Sequence, residues 1–175
     1  MLGTVWLVPL KDLDDDARDI KLGDVAGMEL AAGQEDFVGD PFKMMLMGLG
    51  DHSRRPYVVE ADSAAVGVLT LQLGAATLAG WHDNDSAWLL RGFLIDRKQQ
   101  GKGFGAGAAV AAIREARKLT ARLEGAQSGV VLSVHERNEP ARAAYSKAGF
   151  LEKGRYFGSA SGPQWTMYRE FDGLG

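Results

Sequence analysis

Residues 95 to 118 read IDRKQQGKGFGAGAAVAAIREARK: the end of an apolar run, a glycine-rich stretch, then a helical pattern. Glycines stand at alternate positions, Gly101, Gly103, Gly105 and Gly107. A strand that runs through glycines into a helix can hold an anion. The helix start leaves backbone N–H groups without partners, and glycines let a ligand approach the main chain. The same spacing also suits a tight strand–helix turn in which glycines permit close packing. Two other phosphate patterns fit poorly. A Walker-type loop needs Ser or Thr after its lysine, and Lys102 is followed by Gly103. A dinucleotide-binding loop needs a third glycine where Ala106 stands, and an acid ending the next strand, where His135 follows Val134.

Other groups that could do chemistry are scattered. AWLLRGFLI, ahead of the glycines, holds no glutamate to serve as a base, and Asp96 at its end reads as a turn or cap residue. GWHDNDSAW brings His82, Asp83, Asn84 and Asp85 together, but neighbours in a turn do not converge on one ion. His52 and His135 belong to no motif with them, so no metal is expected. The absence of cysteine excludes disulfides, thiolate nucleophiles and Cys-ligated metals.

These residues need a scaffold, and the patterning supplies one. TVWLVPL (4–10) reads as a strand ending near Pro9, followed by a helix over 14–31 with acidic caps. QEDFVG (34–39) reads as a loop or short turn, and a second helix starts at Pro41, its methionines suited to a core. YVVEA (57–61) and AAVGVLTLQLG (64–74) form a predicted hairpin turning at Asp62-Ser63, and SAWLLRGFLI (86–95) is a third strand. Residues 104–119 put Val110, Ile113, Ala116 and Leu119 on one helical stripe, with Arg114, Glu115 and Lys118 outward. GVVLSV (129–134) suits a central strand, PARAAYSKAGF a short helix from Pro140 to Gly149, and FLEKGRYFG with QWTMYREF a closing antiparallel pair. The prediction is one mixed α/β, α+β-like domain over residues 1–175, with a helical crossover from strand 86–95 to strand 129–134.

Composition narrows the partners. An apolar fraction of 46% allows a sizeable core in 175 residues, and no run has the length of a membrane span. The start lacks the pattern of a secretory leader, so a cytoplasmic, non-membrane protein is expected. The net charge of −3 hides a polarity: residues 1–90 hold 6 Lys/Arg against 15 Asp/Glu, and residues 91–175 hold 14 against 8. A polyanion meets a friendlier field in the second half and a cation in the first, although much of this charge is ordinary solvated surface. No dense basic patch with interleaved aromatics marks a nucleic-acid binder.

The glycine stretch resembles a known family. Gln100, Gly103 and Gly105 match the Q/R-x-x-G-x-G/A signature of the GNAT family of N-acetyltransferases, and LSVHERNEPARAAYSKAGF resembles that family's later strand, asparagine and tyrosine-bearing helix. QEDFV, VGV, WLLRGFLID and MYREF sit where its other landmarks fall; FLID…QGKG with QEDFV resembles the spermine/spermidine (diamine) branch. The resemblance implies a GNAT fold: a central, mostly antiparallel twisted sheet with a splayed parallel strand pair and flanking helices. It also implies acetyl-CoA as cosubstrate. The main chain of Phe93, Leu94 and Ile95 would bond its acetyl and pantetheine part. The amides of Gln100, Gly101, Lys102, Gly103, Phe104 and Gly105 would cradle its pyrophosphate.

Individual side chains carry both a family role and a plainer one. Lys102 adds charge at the rim or is simply solvated, and Phe104 reads better as a helix anchor than as a cofactor stacker. Asn138 would bond the pantetheine arm, or else cap the helix before Pro140. Tyr145 would protonate the departing thiolate, or else pack as a core aromatic. Lys147 would approach the nucleotide end, though a surface lysine near a helix C-terminus fits as well. Glu35 and Asp36 would contact a cationic acceptor or relay a proton through water, and His135 would line the acceptor side or satisfy the chain. The expected activity is acetyl transfer to a primary amine of a small cationic acceptor, with a polyamine such as spermidine or spermine the first to try. Protein or peptide, amino-acid or aminoglycoside acetylation and a silent CoA-binding regulator are the alternatives. Homodimers, common in the family, are an allowed assembly.

Overall fold

A computed structural model describes residues 3–171, apart from the side chain of Asp36. The elements follow in the order β1 (Trp6–Pro9), α1 (Asp15–Ala26), α2 (Pro41–Leu49), β2 (Arg54–Ala61), β3 (Ala64–Gln72), β4 (Ala87–Ile95), α3 (Phe104–Arg122), β5 (Gly129–His135), α4 (Glu139–Lys147), β6 (Leu151–Tyr156) and β7 (Gln164–Glu170), with short 3-10 turns between them. The strands form one sheet in the order β1-β2-β3-β4-β5-β7-β6. It is mostly antiparallel, with a single parallel pair, β4 and β5, among the described residues. This is the mixed α/β, GNAT-like architecture expected from the sequence.

Local chemistry accounts for most boundaries. The β2–β3 hairpin turns through Asp62 and Ser63, at φ of 51° and 66°. A two-residue turn of this hand matches the twist of the strands, and Asp tolerates it. The Asp14 carboxylate accepts from the Ala17 N–H at 2.8 Å to start α1, and Asp40 accepts from Lys43 at 3.0 Å to start α2, where Pro41 enters the first turn. No helix is long and apolar enough to cross a membrane among the described residues.

One boundary departs from the periodicity. The predicted helix over 14–31 ends at Ala26 with Gly27 as its cap. Beyond it, the Glu29 N–H donates to Asp96 Oδ1 at 3.2 Å and the Glu29 carbonyl accepts from Arg97 at 2.9 Å. These bonds replace the helical ones.

The chain packs as two compact units. The first runs up to Thr70 and includes Gly92–Ala108; the second is Leu71–Arg91 with the chain from Ala109 on. In the first, Leu10, Leu22, Val25, Met28, Met45, Val58, Val68 and Leu94 form the core. Met45 is the core methionine anticipated for α2, whereas Met47 lies exposed. In the second, Ala76, Ala79, Ala87, Leu89, Val131 and Tyr168 pack together, with Trp81 stacked on Tyr168 at 4.4 Å. Ile113, Ala116 and Leu119 bury one stripe of α3, and Thr120 there accepts from the Trp88 indole at 2.8 Å.

Candidate functional site

The end of β4 is shaped by glycines. Gly92 has φ of +57° inside the strand, and a Cβ there would sit 3.3 Å from Met44 Sδ. A left-handed residue inside a strand re-aims the residues after it, here Phe93, Leu94 and Ile95. Gly67 on β3 faces them so closely that a Cβ would collide with the Leu94 carbonyl oxygen. Pairing of β4 with β5 covers Ala87–Leu89 against Gly129–Val131; Leu132–His135 keep β7 as their partner.

Asp96 then ends the strand as a cap. Its carboxylate is buried and accepts from the Lys98 N–H at 3.3 Å as well as from Glu29. The Gln100 N–H reaches the Arg97 carbonyl at 3.4 Å, and the Gln100 side chain donates to the Ile95 carbonyl at 3.0 Å and to Gln34 Oε1 at 3.1 Å. Gly101 and Gly103 follow at φ of +79° and +80°. Among the described residues, the amides from Gly101 to Ala106 have no acceptor; the Gly107 N–H is the first to find one, the Gly103 carbonyl at 3.1 Å. Left-handed glycines leading a run of unbonded amides into a 19-residue helix make an anion cradle. This donor set fits a diphosphate.

The surrounding residues divide between lining and support. Lys102 is exposed and bonds Gln99 Oε1 at 2.9 Å, which keeps its charge at the rim. Phe104 packs under the incoming chain: a Cβ at Gly3 would be 2.5 Å from its ring. Gly107 answers the packing half of the glycine puzzle, since a Cβ there would collide with the Gly3 carbonyl oxygen. Close packing is therefore one use of the stretch, through Gly107, while Gly101 and Gly103 shape a loop whose amides remain open to an anion.

The second unit carries the side-chain candidates. Asn138 caps α4, its Oδ1 accepting from the Ala141 N–H at 3.4 Å, while its Nδ2 has no partner among the described residues. Tyr145 lies half-buried against Phe150, ring centroids 6.0 Å apart. Desolvation by the packing around it pushes its phenol above the usual value of 10.0. Lys147 is exposed near the helix C-terminus, where a cation is favoured.

No residue within α4 is buried, so polar contacts hold it. Arg142 donates to Glu152 at 2.6 Å and lies 5.3 Å from the Trp165 ring centroid; Arg169 donates to the Ala148 carbonyl at its end.

The structure brings the acceptor candidates to different circumstances. Glu35 is exposed on a 3-10 turn, Gln34–Asp36; the side chain of Asp36 lies outside the described residues. His135 is buried with both ring nitrogens spent on main chain: Nε2 donates to the Ser161 carbonyl at 2.9 Å and Nδ1 accepts from Arg137 at 3.1 Å. The carbonyl on one side and the N–H on the other fix this tautomer. His135 thus ties the 157–163 loop to the turn before α4.

His82 pairs with Asp83 at 3.0 Å, and Asp83 also accepts from Asp85 and Ser86 in a local turn. Among the described residues no three His, Asp or Glu side chains are grouped to hold a metal ion. Sequence reasoning passed over Gly92 and Gly67 as site-shaping residues, though a glycine inside an apolar strand is a readable sign of a bulge or close approach. Gln34 had no such sign.

Comparison with known proteins identifies the fold and the family. A family model described as Acetyltransferase (GNAT) family matches residues 23–150. The uncharacterized N-acetyltransferase YbbJ of Bacillus subtilis (strain 168) is 28% identical over 141 residues, 77% of this chain and 81% of that protein. Spermidine N-acetyltransferase from Vibrio cholerae, in complex with CoA and spermine, superposes with a TM-score of 0.60 at 16% identity, covering 95% of both chains. Aminoglycoside acetyltransferase AAC(6′)-Ib, in complex with coenzyme A and kanamycin, gives 0.65 at 19% identity over 95% of this chain and 94% of that one. The two structural likenesses speak for the fold, and the family match, spanning most of the chain, makes this protein a member of the GNAT family of acetyltransferases.

Proposed function

We propose that the chain transfers the acetyl group of acetyl-CoA to a primary amine of a small, multiply cationic acceptor, by direct attack within one domain. The observation that carries this reading is the run of amides from Gly101 to Ala106 that lack acceptors, led by left-handed Gly101 and Gly103. Their place at the start of α3 suits the pyrophosphate, with Lys102 adding charge at the rim. Phe93, Leu94 and Ile95 offer main-chain groups to the acyl and pantetheine portion, and the free Nδ2 of Asn138 is a donor for the same arm.

Acetyl-CoA supplies the activated acetyl group; the chain's residues do the rest. Attack requires an uncharged amine and builds negative charge on the carbonyl oxygen, which a strand amide at Leu94 or Ile95 would stabilise. Tyr145, protonated at neutral pH, would give its proton to the departing thiolate and recover one from the amine nitrogen as the amide forms. Holding the reactants in line contributes the remainder.

The acceptor class rests on charge and on relatives. The first unit holds 9 Lys/Arg against 14 Asp/Glu, the second 11 against 9. Glu35 is exposed and unpaired among the described residues, and Asp36 follows it in sequence. Spermidine and aminoglycoside acetyltransferases, two structural relatives, both act on amines carrying several positive charges. Of these the polyamine is the acceptor to test first, because FLID…QGKG with QEDFV resembles that branch.

The test is thiol release from acetyl-CoA with spermidine, spermine, kanamycin, a free amino acid and a peptide N-terminus. Turnover is expected to be fastest with the polyamines. Preference for the amino acid or peptide would overturn the acceptor class, and bound CoA with no thiol release from any amine would leave a binding protein.

A further inference from the structure

The Gln100 side chain touches more than the glycine loop. Its Nε2 carries two hydrogens: one goes to the Ile95 carbonyl at 3.0 Å, the other to Gln34 Oε1 at 3.1 Å, across 66 residues of sequence. Gln34 Oε1 also accepts from the Ala31 N–H at 2.8 Å. The carbonyl at one end and the N–H at the other leave one consistent orientation for both amides. A continuous bonded path therefore joins the end of β4, the residue leading into Gly101, and the 3-10 turn that carries Glu35. A second path lies at residue 29, where the Glu29 N–H donates to the Asp96 carboxylate, its carbonyl accepts from the Arg97 N–H, and its side chain pairs with the Arg97 guanidinium at 3.0 Å.

We propose that Gln34 and Gln100 couple the diphosphate loop to the segment 31–38, so that filling the Gly101–Ala106 amides firms the turn bearing Glu35. The turn is held by main-chain bonds and by Val38, which packs against the first unit's core. It is a single 3-10 turn entered through left-handed Gly33. Gln34, Phe37 and Val38 donate their amides only locally, to Ala31 or Gln34 carbonyls. Gln100 tethers it to the loop through Gln34.

A ligand that fixes the main chain at Gly101 fixes Gln100 beside it, and through Gln100 the acceptor oxygen of Gln34. By linkage, a firmer turn in return favours the filled loop by the same factor. This inference rests on the proposed placement of acetyl-CoA at residues 101–106.

Amide hydrogen exchange on the full chain, with and without saturating coenzyme A, tests it without any acceptor. In the wild type, coenzyme A is expected to slow exchange at 101–106 and, several-fold, at Gln34, Phe37 and Val38. Gln34→Leu removes the shared acceptor oxygen but leaves the Glu29 contacts intact. It should keep the slowing at 101–106, lose that at 34–38, and weaken coenzyme A binding roughly two- to fivefold, as reciprocity requires. Gln34→Glu, which keeps an acceptor oxygen for both donors, should restore the coupling. Equal slowing at 34–38 in Gln34→Leu, or none there in the wild type while 101–106 respond, overturns the coupling alone. No slowing at 101–106 overturns the placement of the donor and the coupling together.

Discussion

The two ends of the proposed reaction are built from different material. The loop at 101–106 in the first unit is nearly all main chain, its shape fixed by Gly101 and Gly103 and its chemistry supplied by unbonded amides. The α4 segment in the second unit works through side chains, Asn138 and Tyr145, on a helix with no buried residue of its own. The first takes its shape from left-handed glycines, a conformation that a side chain would strain. The second is as stable as the contacts that Arg142, Arg169 and Trp165 make with it. Substitutions should therefore act on binding at the loop and, at Tyr145, on turnover at the helix.

The largest effect expected is at the helix. Tyr145→Phe removes the phenolic proton and little volume, so turnover should fall about 100-fold, the low end for general acid catalysis. Calorimetry should find coenzyme A affinity unchanged. Loss of affinity in step with turnover would erase the contrast between the two regions.

The loop comes next. Gly103→Val forces a β-branched residue to φ of +80°, costing about 1–2 kcal/mol. Coenzyme A binding should weaken about tenfold or more, while circular dichroism reports a folded chain. Unchanged affinity would place the cradle elsewhere.

Asn138→Ala tests the cap and the arm contact at once. Losing the cap should cost about 1 kcal/mol in denaturant unfolding. The coenzyme A dissociation constant should rise a few-fold through the lost Nδ2 donor, and full affinity in the variant would leave Asn138 as a cap alone. A smaller signature comes from the Tyr145 phenol. Because burial raises its pKa, the folded chain holds that proton after the unfolded chain has released it. The stabilisation is complete below pH 10 and is lost as pH rises through the folded value. The ultraviolet titration difference between wild type and Tyr145→Phe should be flat up to pH 10; phenolate absorbance appearing below that would show an exposed ring. Smallest of all, Lys102→Gln should weaken coenzyme A binding about twofold at low salt and less at high salt, as for any exposed charge.

How far the sequence reached differs between the same two regions. At the loop, Gln100, Gly103 and Gly105 marked the motif, and the alternate glycines suited both close packing and the proposed anion cradle. Gly107 had a packing role that only the neighbouring Gly3 carbonyl explains. At the helix, Pro140 and Gly149 bounded α4 nearly to the residue, but nothing local showed that arginines from α4 itself and from β7 hold it. His135 was legible as an apolar strand's end, while its commitment to Ser161 and Arg137 was not.

The sequence by itself determined the order of the elements, the Asp62-Ser63 hairpin, the glycine loop and the stripe of α3. Each of these is a property of near neighbours: backbone freedom, side-chain periodicity and capping act within a few residues. Only the tertiary structure decided where α1 ends, what Gln100 holds, and why Gly67 must lack a side chain. Those answers depend on groups far along the chain, Glu29 with Asp96 across 67 residues and Gln34 with Gln100 across 66. Packing chooses such partners by bringing unsatisfied donors and acceptors together, and no local spacing records that choice.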